Sequence, residues 1–287
     1  MTVCIAAICD LGRTIIMVAD KRIGLGFIEA DIGFKFSWLC PTWRLLLAGN
    51  DFSAATEISR WATFHLNMKT RKLPEVQSEM VQDALVTAYQ QVRTQRIESR
   101  YLRPRGWTLA QFKEKGRDFL PVSVYTEIDS VLAGWDVEVD IIACGFEGKT
   151  ADIVRVRNPG AASIEGSSHV EVIGSGDYLA FASLYRRGYK DTMPLREALY
   201  YVYEAKIAAE RASGVGEPSD VVIMKRDKQG LNEKLLIDDD QNAIRSICDR
   251  LKPKDLSSGD LNDMDSAIRR AARFARRLGK RPTPSTS

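Results

Sequence analysis

The chain has 287 residues, 45% of them hydrophobic and 28% charged, and a formal net charge of +3. That is ordinary for a globular protein able to bury a full core, and the charge is too small to imply a nucleic-acid partner for the whole chain. No apolar run reaches the ~18 residues of a membrane span, and Asp10, Arg13 and Asp20 interrupt the first apolar stretches, so no signal peptide is read and a cytoplasmic location is expected. The five cysteines (Cys4, Cys9, Cys40, Cys144, Cys248) form no C-x-x-C pair and have only His65 and His169 as helpers. This argues against a metal site and for reduced thiols.

Thr2–Cys9 is an apolar run, followed by a polar turn and a second run, Thr14–Ala19, that stops at Asp20-Lys21-Arg22. Short apolar runs bounded by turn residues read as a hairpin of buried strands. Phe34–Leu39 and Arg44–Ala48 form a second pair, broken at Pro41. Asp51 or Ser53 then caps a helix carrying Ile58, Trp61, Ala62 and His65. Pro74 precedes a longer helix with Val76, Met80, Ala84, Leu85, Ala88 and Val92 on one face. Residues 101–136 read as an insertion with a short helix near Leu109–Phe119. Strands are expected at Val139–Phe146, Asp152–Val156 and Val170–Ile173, helices at 177–187 and 195–212, and closing strands at Val221–Lys225 and Lys234–Ile237.

Strand blocks separated by helix pairs imply a mixed α+β chain: two packed antiparallel sheets between helix layers, a four-layer αββα sandwich. This domain is placed at 1–238. The remainder, 239–287, reads as an appended helical extension. It has one amphipathic helix (Ala243, Ile244, Ile247, Leu251) before Pro253, a linker at Ser257-Ser258-Gly259, and a basic helix with no acidic residue from Ser266 onward. Its Pro/Ser/Thr-rich end reads as disordered. The basic helix is most simply a solvated face or docking arm, with nucleic acid the weaker alternative.

Two features point to chemistry. With Met1 removed, Thr2 would carry a hydroxyl and a free α-amine on one residue, and the amine's ordinary pKa of about 7.7–8.0 suits a base near neutral pH. Thr paired with an N-terminal amine is a known activated nucleophile. The second feature is Lys35, which lies between Phe34 and Phe36. Taken alone the pattern favours solvent. If Lys35 is buried, Asp20 is the acid to pair with it, and the pair would put a cation near Thr2 that lowers the amine's pKa. Two other motifs fall away. G-F-E-G-K-T at 145–150 lacks the first glycine of a phosphate loop and leads into a strand, and G-S-G at 174–176 lacks the third dinucleotide glycine and a βαβ unit.

The ordered set T-V-C-I-A-A-I-C, A-D-K-R-I-G-L-G, F-K-F, L-L-A-G-N-D-F-S-A-A, I-I-A-C-G-F-E, V-I-G-S-G-D-Y-L-A, E-R-A-S-G and S-D-V-V-I resembles proteasome β-type subunits and their bacterial relatives HslV and Anbu. These belong to the N-terminal-nucleophile hydrolases. The resemblance covers about residues 2–237, discontinuously. It implies that Thr2 is the nucleophile, Asp20 and Lys35 its acid and lysine, and Gly49 an oxyanion-hole donor. Ser175, Glu210 and Ser213 complete the network at the threonine amine. The first hairpin is two residues longer than usual, the Asp20–Lys35 spacing is one short, and Glu210 stands where an Asp is typical.

The implied activity is threonine-type peptidase, acting on peptide or unfolded-protein substrates in a homo-oligomeric ring or spiral. No metal or organic cofactor is expected, and an ATPase partner is left open. Two alternatives stay open: a small-molecule amidase of the same fold, and a catalytically silent scaffold subunit.

Overall fold

The structure is a computed structural model that describes residues 2–25, 28–31, 33, 35–70, 75–164, 169–227, 230–251 and 258–278; the side chains at 24, 25, 28, 29 and 271–278 stand outside it. Phe34, Pro74, Pro253, Ser257 and the tail from 279 onward, on which expectations were placed, lie outside the described residues.

Among the described residues, two five-stranded antiparallel sheets and eight α-helices make this a mixed α+β chain. In the first sheet β1 (Cys4–Cys9) and β2 (Thr14–Asp20) form the expected hairpin. A short hairpin follows, β3 (Ile23–Leu25) with β4 (Ile28–Ala30). The second sheet begins with β5 (Phe36–Cys40) and β6 (Trp43–Gly49). After α1 (Phe52–Thr70) and α2 (Ser78–Ile97), the insertion carries α3 (Leu109–Phe119) and α4 (Val122–Gly134). The second sheet is completed by β7 (Val139–Glu147), β8 (Thr150–Arg157) and β9 (Ala161–Ile164), in the order β5-β6-β7-β8-β9. Next come β10 (Val170–Ile173), α5 (Asp177–Arg186), α6 (Leu195–Ala209), β11 (Ser219–Asp227) and β12 (Gly230–Leu236). The first sheet therefore runs β10-β1-β2-β11-β12.

The unbroken apolar run of β1 has a structural cause. Successive side chains of a strand point to opposite faces, and here both faces meet apolar layers. Val3, Ile5, Ala7 and Cys9 pack with α6 residues such as Leu199 and Val202. Cys4, Ala6 and Ile8 instead join Leu46, Ile142 and Cys144 of the second sheet in one cluster. The second sheet's other face, with Leu45, Leu47 and Ile141, packs on Ile58 and Leu66 of α1 and on Leu85 and Val92 of α2. The clusters are compatible with a sandwich.

The β3–β4 hairpin, β9 and α4 were not anticipated. The β3–β4 hairpin and β9 are too short to show a period. In α4 the run V-S-V-Y-T-E-I is rich in β-branched residues of modest helix propensity. By contrast α3 begins and ends where the sequence placed it. Thr108 Oγ1 accepts from Gln111 N at 3.2 Å, and Gln111 Oε1 accepts from Thr108 N at 2.9 Å, a reciprocal cap. The insertion has its own apolar cluster around Ile97, Leu102, Phe112 and Leu132.

Helices α7 (Asp238–Arg250) and α8 (Ser258–Leu278) follow. Ile244 and Ile247 of α7 and Met264 and Ile268 of α8 belong to the same cluster as Val3, Ile5 and Leu236, so the extension packs on the first sheet's helical face. No helix of the described residues is long and apolar enough to cross a membrane. If α7 is part of this core, Ile244→Ala lowers unfolding stability by about 2–5 kcal/mol in urea titration, whereas an appended helix would leave the main transition unmoved.

Candidate active site

Thr2 stands just ahead of β1 and, by alternation, on the side of Cys4, toward the second sheet. It is only 3% exposed. The β1–β2 register sets Ala19 opposite Cys4, and the next residue's N–H reaches back: Asp20 N donates to Val3 O at 3.2 Å. Asp20, the last residue of β2, is thereby fixed beside the start of the chain, and its carboxylate is enclosed by donors. Oδ1 accepts from Val3 N at 2.8 Å and from Lys35 Nζ at 2.8 Å, while Oδ2 accepts from Gly216 N at 3.1 Å and Arg22 N at 3.2 Å.

Lys35 is buried, against what the local pattern alone favoured. It is 5% exposed and Asp20 1%. Its carbonyl accepts from Leu47 N at 2.9 Å, tying it to β6. The Thr2 hydroxyl lies between the two charges: Lys35 Nζ donates to Thr2 Oγ1, and Thr2 Oγ1 donates to Asp20 Oδ1. The Asp20 carboxylate thus accepts from the hydroxyl while the Lys35 ammonium donates to the same oxygen.

Ser175 comes from the turn after β10. Thr2 N donates to Ser175 Oγ at 3.1 Å, and that hydroxyl has two carbonyls in reach, Thr2 O and Ser213 O, each at 3.4 Å. Gly174, at φ +101°, packs so closely that a Cβ there would lie 2.3 Å from Thr2 O. Only glycine fits. Ser213 thus joins through its carbonyl.

Glu210 does not join this network. Its carboxylate accepts from Lys206 Nζ at 2.5 Å and from Arg245 of α7. The reason is local: Lys206 is fully buried, its burial pushes its pKa down despite Glu210, and the residue one turn on supplies the counter-charge.

Gly49 ends β6 at φ +149°, where a Cβ would lie 2.1 Å from Glu138 O. It and Thr2, Gly174 and Ser175 line one pocket of about 370 Å3. The facing residues come from the approach to β7 and its first residues: Asp136 and Glu138 ahead of it, and Asp140 within it. Sequence reasoning missed these three acids, although D-V-E-V-D at 136–140 shows the alternation of a strand edge. Burial pushes the Asp140 carboxyl above the usual carboxylate range, opposed by Arg155 and Arg157; Arg155 lies 3.6 Å away.

Cys4, two residues from Thr2, is no rival nucleophile. Burial pushes its thiol up to about 12, and its Sγ lies 3.6 Å from Leu47 O. His65, expected on a core face, bonds Gln91 Oε1 at 3.1 Å, away from the site.

The buried pair gives a thermodynamic test. Asp20→Asn leaves the Lys35 charge uncompensated and costs about 3–5 kcal/mol. Combining it with Lys35→Met recovers part of that loss, so a double-mutant cycle by chemical denaturation yields a coupling of about 1–3 kcal/mol. Strict additivity would mean that the two charges do not depend on each other. No protein-family model matches the chain, and no curated protein matches it.

Proposed function

We propose that the chain is an N-terminal-nucleophile amide hydrolase of proteasome type, with Thr2 as nucleophile once Met1 is removed. The observation that carries this reading is the Thr2 hydroxyl held between the Lys35 ammonium and the Asp20 carboxylate at the wall of a pocket. The apolar layer shared by the two sheets, with helices on their outer faces, supports assigning the four-layer αββα fold of that class.

In the proposed reaction Thr2 Oγ attacks the substrate's amide carbonyl, and the freed α-amine takes the hydroxyl proton, directly or through water. Lys35 favours the developing alkoxide, and Ser175, beside the same nitrogen, orients the amine. The Gly49 N–H is assigned to the oxyanion, where removing a donor typically costs about 10²–10³ in rate. Collapse passes the proton to the leaving amine and leaves an ester on Thr2. Water, deprotonated by the α-amine, hydrolyses that ester and restores the hydroxyl. Asp20 fixes Lys35 and the start of β1 and exchanges no proton with the substrate. Peptide or unfolded-protein substrates, a cytoplasmic location and a homo-oligomeric assembly belong to this same reading.

Intact-mass measurement on natively expressed protein should show loss of one methionine. Thr2→Ala should then cut hydrolysis of fluorogenic peptides by about 10³-fold or more with assembly unchanged. Unchanged hydrolysis in that variant would sink Thr2 as the nucleophile, and retained Met1 would favour a silent scaffold.

A further inference from the structure

The pocket beside Thr2 has a charge pattern that the chemistry of amide hydrolysis does not need. Ten residues line it, three of them carboxylates and none a Lys or Arg. Asp140 has its cation in Arg155. Asp136 and Glu138 have none within 4 Å among the described residues, and both are exposed. Asp136 Oδ1 accepts from Glu138 N at 2.7 Å, and Glu138 Oε2 accepts from Asn50 Nδ2 at 3.0 Å. Each carboxylate is thus held through one oxygen.

Neighbouring positions hold these side chains on the pocket side. Val137 and Val139 are buried in the cluster under α1 and α2, so the alternating residues 136, 138 and 140 face away from that core. Glu138 sits at φ +57°, an uncommon conformation for a residue with a side chain. Among the described residues no group of three or more His, Cys, Asp or Glu is arranged to hold a metal ion, so an inorganic cation is not what the acids are set for. Lys35 does not oppose an incoming cation, because Asp20 neutralises it within hydrogen-bond distance. Arg100 shares a neighbouring cavity with Asp136 and Glu138, but its guanidinium lies over the Tyr101 ring, 5.7 Å from the centroid.

We infer that this pocket receives a cationic side chain, so that hydrolysis falls on the carboxyl side of Lys or Arg, with Asp136 and Glu138 as the specificity-determining residues. The inference rests on Thr2 being the nucleophile, because that places the pocket next to the scissile carbonyl. A carboxylate pair beside a partly enclosed pocket favours a positive side chain by Coulomb attraction that salt weakens.

The test uses the full chain after loss of Met1 and tripeptide coumarylamides that differ only in the last residue, Arg, Leu or Glu. The expected order of kcat/KM is Arg above Leu above Glu. Asp136→Asn and Glu138→Gln should each lower the Arg-to-Leu ratio by about fivefold, and about 0.5 M salt should erode it in the unsubstituted protein. Preference for Leu or Glu, or a ratio that neither substitution moves, overturns the inference. Binding of the same tripeptides as free acids to the Thr2→Ala chain, read by fluorescence anisotropy, separates the two readings. A preference for Arg there, sensitive to Glu138→Gln, upholds the pocket even where hydrolysis is absent, and the nucleophile assignment alone then falls. Equal binding of Arg and Leu peptides sinks the pocket assignment whatever the hydrolytic rate.

Discussion

An aspartate and a lysine held out of water at the start of the first strand constrain much of what surrounds them. Moving two such charges into the interior costs several kcal/mol each, and their attraction offsets this only when every remaining polar atom is satisfied. Asp20 meets that demand with three main-chain N–H groups besides the lysine. Those donors are Val3 just ahead of β1, Arg22 two residues past β2, and Gly216 in the turn before β11. The segment carrying Lys35 must also return from the β3–β4 hairpin to the edge of the second sheet, where Leu47 binds its carbonyl. A fold shaped for stability alone would do as well with an apolar pair in that place. Keeping the charges is explained by the third group they hold, the Thr2 hydroxyl.

That constraint reaches the C-terminal helices through a short series of contacts. Gly216 donates to Asp20, and the next residue, Glu217, offers its carbonyl to the fully buried Lys206. Lys206 is paired with Glu210, which also binds Arg245, and Arg245 lies 3.4 Å from the Glu217 carboxylate. Arg270 of α8 then bonds Asp240 of α7 at 2.8 Å. The turn that supplies a donor to the candidate site is therefore clamped from α6 and α7 together. Helix α7 is distant in sequence from Thr2, yet it shares the polar scaffold that positions Asp20.

Much of the architecture was legible because the strands here are long, apolar on both faces and punctuated by turns. β1, β2, β6 and β7 all announce themselves that way, while α3 was expected as a short helix without its Thr108–Gln111 cap being read. Of the short elements, β10 was read from V-E-V-I, but three residues of β3 or four of β9 carry too little pattern to read. Thr2 and a conditional Asp20–Lys35 pair could be raised from the residues themselves, but only a resemblance singled them out and added Ser175, for nothing local says that Lys35 turns inward. What buries it is Asp20, brought beside it by the β1–β2 register. Glu210 shows the converse. The residue matched a motif position, but a buried lysine one turn earlier on its own helix competes for its carboxylate and wins at shorter range. The three acids at 136–140 were visible in the sequence as an alternation, and went unread because only the pairing of Gly49 with Val139 brings them to the pocket.

The charges of the site are sorted into two compartments, and the sorting bears on what each can do. In the buried one, Lys35 and Asp20 cancel within hydrogen-bond distance, so the net field leaking into the pocket is small while the local field on the Thr2 oxygen is large. In the outer one, Asp136 and Glu138 stand exposed, with no cation within ion-pair distance among the described residues. A lysine less completely paired would repel a cationic ligand; outer acids placed closer would compete with Asp20 for Lys35 and draw it off the hydroxyl. Separation by the ends of two sheets avoids both. The first sheet supplies Thr2, Asp20 and the turn at Ser175, and the second sheet supplies Gly49 and the acids. Neither sheet alone places the Thr2 hydroxyl beside a pocket, so the packing of the two is what makes the candidate site.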